Sequence, residues 1–117
     1  MKPTLNRAPY KGRDRNGHDV VLVPLAHGLG PAKIDEADFR RLCDEGWSDQ
    51  WYLNSGLVRV RDNSVRGHST SVARLLTRAR PGYVVRYADG DRLNLRRSNL
   101  YITRGNARGQ RAANTKP

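Results

Sequence analysis

Residues 84–103 read "VVRYADGDRLNLRRSNLYIT". Val84 and Val85 carry the β-branched composition of a strand, Asp89-Gly90 is a turn-forming pair, and Leu100 to Thr103 return to strand-forming residues. The stretch therefore predicts a strand over 83–88, a tight turn, an arginine-rich loop and a second strand over 100–103. Asp89 and Asp91 flank Gly90, and with Arg92, Arg96 and Arg97 competing for their carboxylates they are expected to shape the turn and hold no metal. The stretch contains no histidine.

Outward from it, the pattern stays mixed. A final helical segment is expected from about 104 to 113, with "NTKP" (114–117) as a disordered tail. Upstream, "STSVARLLTRARPG" (69–82) predicts a short helix through Arg78, capped by Ser69 or Thr70 and ended by Pro81-Gly82. "WSDQWYLN" and "GLVRVRD" predict a hairpin joined at Asn54-Ser55-Gly56, with Arg59 and Arg61 on the wet face of the second strand. "IDEADFRRLCDEGW" (34–47) predicts a helix with Asp35 as N-cap, Ile34 and Phe39 as its staple, and Phe39, Leu42 and Cys43 as its apolar face. "HDVVLVPLAHG" (18–28) predicts a strand that leaves its sheet at Pro24. Residues 1–17, with Pro3, Pro9, Gly12, Gly17 and five basic residues, predict a flexible basic arm. The fold class is α+β, with one domain over 18–113.

The chain has 117 residues and a net charge of +11, enough for one modest core and a strong bias toward an anionic partner. Residues 1–56 carry eight Lys/Arg against eight Asp/Glu, whereas residues 57–117 carry fourteen against three. The whole excess lies in the second half, and thirteen of those fourteen cations are arginine, whose planar fork suits phosphates and base edges. No apolar run approaches a membrane span and the first residues lack a signal-peptide core, so the expected place is the cytoplasm. The single cysteine, Cys43, predicts core filler, with no disulfide and no zinc site. His18, His27 and His68 lack partners at ligand spacing and predict surface histidines. No phosphate-loop motif is present and no cofactor is implied.

From about residue 20 to 112 the chain resembles the phage and mobile-element HNH (His-Me finger) endonucleases of the homing type. The residues that carry this are "VPLAHGLGPAKIDEADFRRLCDEGW", "VARLL" and "VVRYADGDRLNLRRSNLYITRGN", in that order. The resemblance implies a small ββα-metal core preceded by an N-terminal strand, a helix and a β-hairpin. It also implies where the chemistry should stand. Where the family writes Asp-His at the end of a strand, one holding the metal and the other deprotonating water, this chain has Arg86 and Tyr87. Ala73 replaces a further histidine, Leu95 replaces a loop asparagine, and Asn106 stands near the last ligand position. Arginine repels a cation and tyrosine is a poor base at neutral pH.

The resemblance therefore implies a degenerate, catalytically silent nuclease scaffold that keeps its docking surface. The expected partner is double-stranded DNA, held through arginines of the hairpin loop and final helix; the expected contacts are Arg74, Arg86, Arg92, Asn94, Arg96, Arg97, Arg104, Asn106, Arg108 and Arg111, with no catalytic residue, no metal, and DNA preferred over RNA. Two alternatives stand beside this. One is a phage-type inhibitor or adaptor that binds a host nucleic-acid enzyme, and the other is a residual metal-dependent nicking enzyme using Asn106, Asp89 or Asp91.

Overall fold

In a computed structural model, residues 8–105 are described. They form three small sheets and two helices. The first sheet holds β1 (Tyr10–Arg13), β2 (Asp19–Val23) and β3 (Ala32–Asp35), all antiparallel, in the order β1-β2-β3. Helix α1 (Glu36–Asp44) follows directly and packs on β2 and β3. The second sheet holds β4 (Tyr52–Asn54), β5 (Leu57–Asp62) and β6 (His68–Ser71), and α2 (Val72–Thr77) continues from β6. The third is a two-stranded ribbon of β7 (Tyr83–Tyr87) and β8 (Leu100–Arg104). This is an α+β domain, and α2 touches β5, β6, β7 and β8, so it joins the second sheet to the third.

The core follows from strand alternation and two aromatic anchors. Val21 and Val23 of β2, Ile34 of β3, and Val58 and Val60 of β5 are buried, as period-two patterning requires when one sheet face is covered. Trp51 is 1% exposed; its indole nitrogen donates to the Ser48 carbonyl at 2.9 Å, and Phe39 of α1 meets its ring edge-on at 6.1 Å. Trp47 packs half-buried against the same core. Leu95, from the loop between β7 and β8, is fully buried. Its segment joins the first sheet: Lys33 N donates to the Leu93 carbonyl at 2.8 Å, and Leu95 N donates to the Lys33 carbonyl at 2.7 Å. Position 95 thus serves as a core plug, and Ala73 of α2, 1% exposed, belongs to the same apolar core.

Several expectations are corrected. The basic arm is not without structure over its whole length, because Tyr10–Arg13 pairs with β2; residues 1–7 lie outside the described residues. The edge strand has few apolar residues, and its backbone bonds exist only through its partner. Helix α1 begins at Glu36, directly after its expected N-cap Asp35; strand β3 over Ala32–Asp35 is unexpected. Asp35 stands at the N-cap, yet its carboxylate turns to Arg96 and Arg97 instead of capping. Cys43 is exposed and not core. Ser69 and Thr70 lie in β6, and the cap of α2 is Ser71, whose hydroxyl accepts from Arg74 N at 3.3 Å. Arg104 ends β8 and is not helical. Gly105 is not helical either, its N–H donating to the Gly82 carbonyl at 2.7 Å, and residues 106–117 lie outside the described residues.

Candidate nucleic-acid interface

The two-residue turn Ser55-Gly56 has φ of 55° and 79°, both positive, which matches the right-handed twist of the β4–β5 hairpin. It also positions an arginine. The Arg92 Nη1 atom lies 3.2 Å from where a Cβ on residue 56 would stand, so the guanidinium of the β7–β8 loop lies across the hairpin turn because that turn ends in glycine. Arg59 projects from the adjacent strand, and its guanidinium is fixed by two bonds to Ser69, one to the hydroxyl at 3.0 Å and one to the carbonyl at 2.9 Å. Arg74 of α2 donates to the carbonyls of Tyr83, Ala79 and Arg80 at 2.8–3.0 Å. Its bonding capacity is mostly consumed by neutral oxygens, so it adds positive field with few free donors. Arg86 of β7 is exposed and makes one 3.3 Å bond from Nε to the Thr103 hydroxyl.

These four arginines converge on one cleft of about 510 Å³, also lined by Leu57, Ser71, Val84, Tyr87, Gly90 and Tyr101. No acidic side chain is among the residues lining it. None of the four has a carboxylate partner among the described residues. The cleft therefore combines concentrated positive charge with open donors at Arg86 and Arg92, suited to phosphate oxygens. Tyr87 faces it from the end of β7, and burial pushes its phenol above the ordinary range against the smaller opposing effect of Arg92. It stays protonated at neutral pH.

The remaining predicted contacts separate from this cleft. Arg96 is bound by two carboxylates, with Nε to Asp35 at 2.8 Å and Nη1 to Asp14 at 2.7 Å, and its side chain is only 17% exposed. Asp35 and then Asp14 hold its pKa up, while the His18 backbone N–H and Arg96 hold the Asp14 carboxyl well below the usual range. Arg97 is half-exposed and pairs with Asp38 at 3.3 Å. Asn94 is spent inside the loop: its Nδ2 donates to Asp89 at 2.9 Å and its Oδ1 accepts from Arg96 N at 3.3 Å. Arg104 lies over the Tyr83 ring, 5.9 Å from its centroid. Asn106, Arg108 and Arg111 lie outside the described residues.

The loop's acidic residues act as an internal frame. Asp89 accepts from the Asp91 backbone and from the side chains of Asn94 and Asn99, and Asn99, 7% exposed, returns a bond by accepting from Asp89 N. Those donors, Asn94 foremost, lower the Asp89 pKa. Asp91 accepts from Leu93 N at 2.9 Å. No group of three or more His, Cys, Asp and Glu that could hold a metal exists among the described residues. The three histidines are exposed, and His18 sits 3.2 Å from Asp14.

No family model, curated protein or solved structure matches this chain.

Sequence reasoning found Arg74, Arg86 and Arg92 and missed Arg59 and Tyr101 as their neighbours. Arg59 had a signal, its outward place on an alternating strand, but that pattern equally describes a solvated face. The capture of Arg96 by Asp14 and Asp35 had none, since the partners are separated by 82 and 61 positions. No described helix is long and apolar enough to cross a membrane.

Proposed function

We propose that this protein binds nucleic acid, with DNA as the preferred partner, through the cleft lined by Arg59, Arg74, Arg86 and Arg92. The observation that carries this reading is the convergence of four arginines, from β5, α2, β7 and the β7–β8 loop, on a cleft lined by no acidic residue. A basic surface kept for solubility would scatter its charge and intersperse acids; here the acids gather elsewhere, on Arg96 and Arg97. Arg86 and Arg92 take phosphate oxygens directly, Arg59 and Arg74 raise the local potential, and Arg104 lies at the end of β8 beyond the cleft.

The scaffold reading is part of the same proposal. The ribbon β7–β8, with its turn and framed loop, supplies the two strands that a degenerate HNH-like ββα core would need. Arg86 stands where a metal ligand would, so a fixed guanidinium replaces a cation at the phosphate and the backbone is held without being cut.

Fluorescence anisotropy with a labelled duplex tests this. Association is expected at low salt and should weaken steeply as salt rises. The charge-reversing pair Arg86→Glu/Arg92→Glu should abolish it, and supercoiled plasmid incubated with Mg²⁺ or Mn²⁺ should remain intact. Absence of binding at low salt, or binding indifferent to that pair, would overturn the interface. Chelator-sensitive nicking would overturn the catalytic silence.

A further inference from the structure

We infer that the arginine cleft receives a single unpaired nucleotide, with its base against Tyr101 and its phosphate on Arg86 and Arg92. This rests on the proposed nucleic-acid reading and goes beyond it by naming which part of the polymer enters. The first observation is size. A cleft of about 510 Å³ has the capacity of a small-ligand site, roughly 300–1,000 Å³, and a duplex can only lie across its mouth.

The second is the chemistry of one sheet face. In the β7–β8 pairing, Arg86 stands directly opposite Tyr101 and Val84 opposite Thr103, so these four side chains share a face. Tyr101 is 51% exposed and Val84 38%, an apolar and aromatic surface left open next to a guanidinium that, among the described residues, bonds to Thr103 alone. Phosphate binding alone has no use for that surface. A nucleotide does, because its planar base stacks on an aromatic ring while its phosphate lies one sugar away, and directly opposed residues are separated by about 4.5–5.5 Å between Cβ atoms. Leu57 extends the apolar wall, and Gly90, with no side chain, leaves the cleft open beside Arg92.

The third is that, among the described residues, the cleft is lined by no Asn, Gln, Asp or Glu, and Asn94 of the adjoining loop is consumed within that loop, so stacking is the main hold on the base.

The test compares three labelled probes on the full chain: a single-stranded oligonucleotide, the same strand with abasic sites, and a duplex. Tyr101→Ala should weaken single-strand binding by about 5- to 150-fold, which is 1–3 kcal/mol per stacked base. Tyr101→Phe should retain it, and abasic sites should cost the wild type the same factor. Duplex affinity should fall less than single-strand affinity in Tyr101→Ala, and an unchanged circular dichroism spectrum and Tm show that the variant folds. If Tyr101→Ala and abasic sites leave single-strand affinity unchanged while Arg86→Glu/Arg92→Glu abolishes binding of every probe, the nucleotide inference is overturned and phosphate binding stands. If no probe binds the wild type, both fail.

Discussion

Arg86, on β7, and Arg96, on the loop that follows it, lie ten residues apart, yet the fold treats them in opposite ways. Arg96 is drawn into a carboxylate clamp from Asp14 and Asp35 and is nearly buried, whereas Arg86 is exposed, with the Thr103 hydroxyl as the partner of its guanidinium among the described residues. Arg96 fastens the β1–β2 turn, the end of β3 and the β7–β8 loop to one another. Arg86, with Arg92, Arg59 and Arg74, faces a cleft whose lining includes no acid. One composition thus serves two purposes, and the location of the carboxylates decides which. A positive charge already neutralised inside the fold has little field left for a partner, while one kept from carboxylates retains it.

The largest break in this comparison should come from the clamp. Arg96→Ala leaves Asp14 and Asp35 facing each other without their shared cation, and losing one partner of a mostly buried ion pair is costly because the other is stranded. We expect it to lower Tm by several degrees, more than Arg86→Ala or Arg97→Ala, in a differential scanning calorimetry comparison. Arg97 is half-exposed and holds a single carboxylate through its side chain, Asp38, so its removal should cost less than that of Arg96, which is mostly buried and shared by two. If Arg96→Ala leaves Tm unchanged, the clamp is ornamental and the contrast with the cleft loses its basis.

Acid should produce a smaller, graded effect. The folded state holds Asp14, Asp62 and Asp89 below the ordinary carboxylate range, through backbone N–H bonds and Arg96 for Asp14, Ser64 for Asp62, and Asn94 for Asp89. Their charged forms therefore stabilise the fold fully above the unfolded value of about 3.9, and the contribution is lost as pH falls from there through the lower folded values. Urea denaturation should give nearly constant stability between pH 7 and pH 5 on their account and a decline below about pH 4. In Asp14→Asn that decline should be shallower. An equally steep acid decline in the variant would show that the Asp14 carboxylate is not a principal source.

The legible parts of the molecule were those where one element carries its own signal. The β2, β4, β5, β7 and β8 runs, the helix after Asp35 and the Asp89-Gly90 turn are all written in local composition, and the alternation of β5 sorted Val58 and Val60 inward. Edge strands β1 and β6 were not, because "YKGR" and "HSTS" carry no apolar periodicity and become strands only through neighbours. The same limit governed the site. Sequence counted the arginines but could not see that Asp14, Asp35 and Asp38, far away in the chain, claim Arg96 and Arg97. Leu95 shows the reverse case: beside a family pattern it reads as a lost asparagine, and in the fold it is a buried anchor that fixes the loop on β3.

On the proposed reading, the cleft arginines meet phosphate and the clamped arginine does not. The direct measurement is the slope of log affinity against log salt for a duplex, taken on wild type, Arg86→Ala/Arg92→Ala and Arg96→Gln at a temperature where all three are folded. Each phosphate neutralised contributes about 0.9 to that slope, so the cleft pair should lower its magnitude by about one where the two arginines share a phosphate and about two where each takes its own, while Arg96→Gln leaves it near wild type. A slope unchanged in the cleft pair, or lowered as much by Arg96→Gln, would contradict the account.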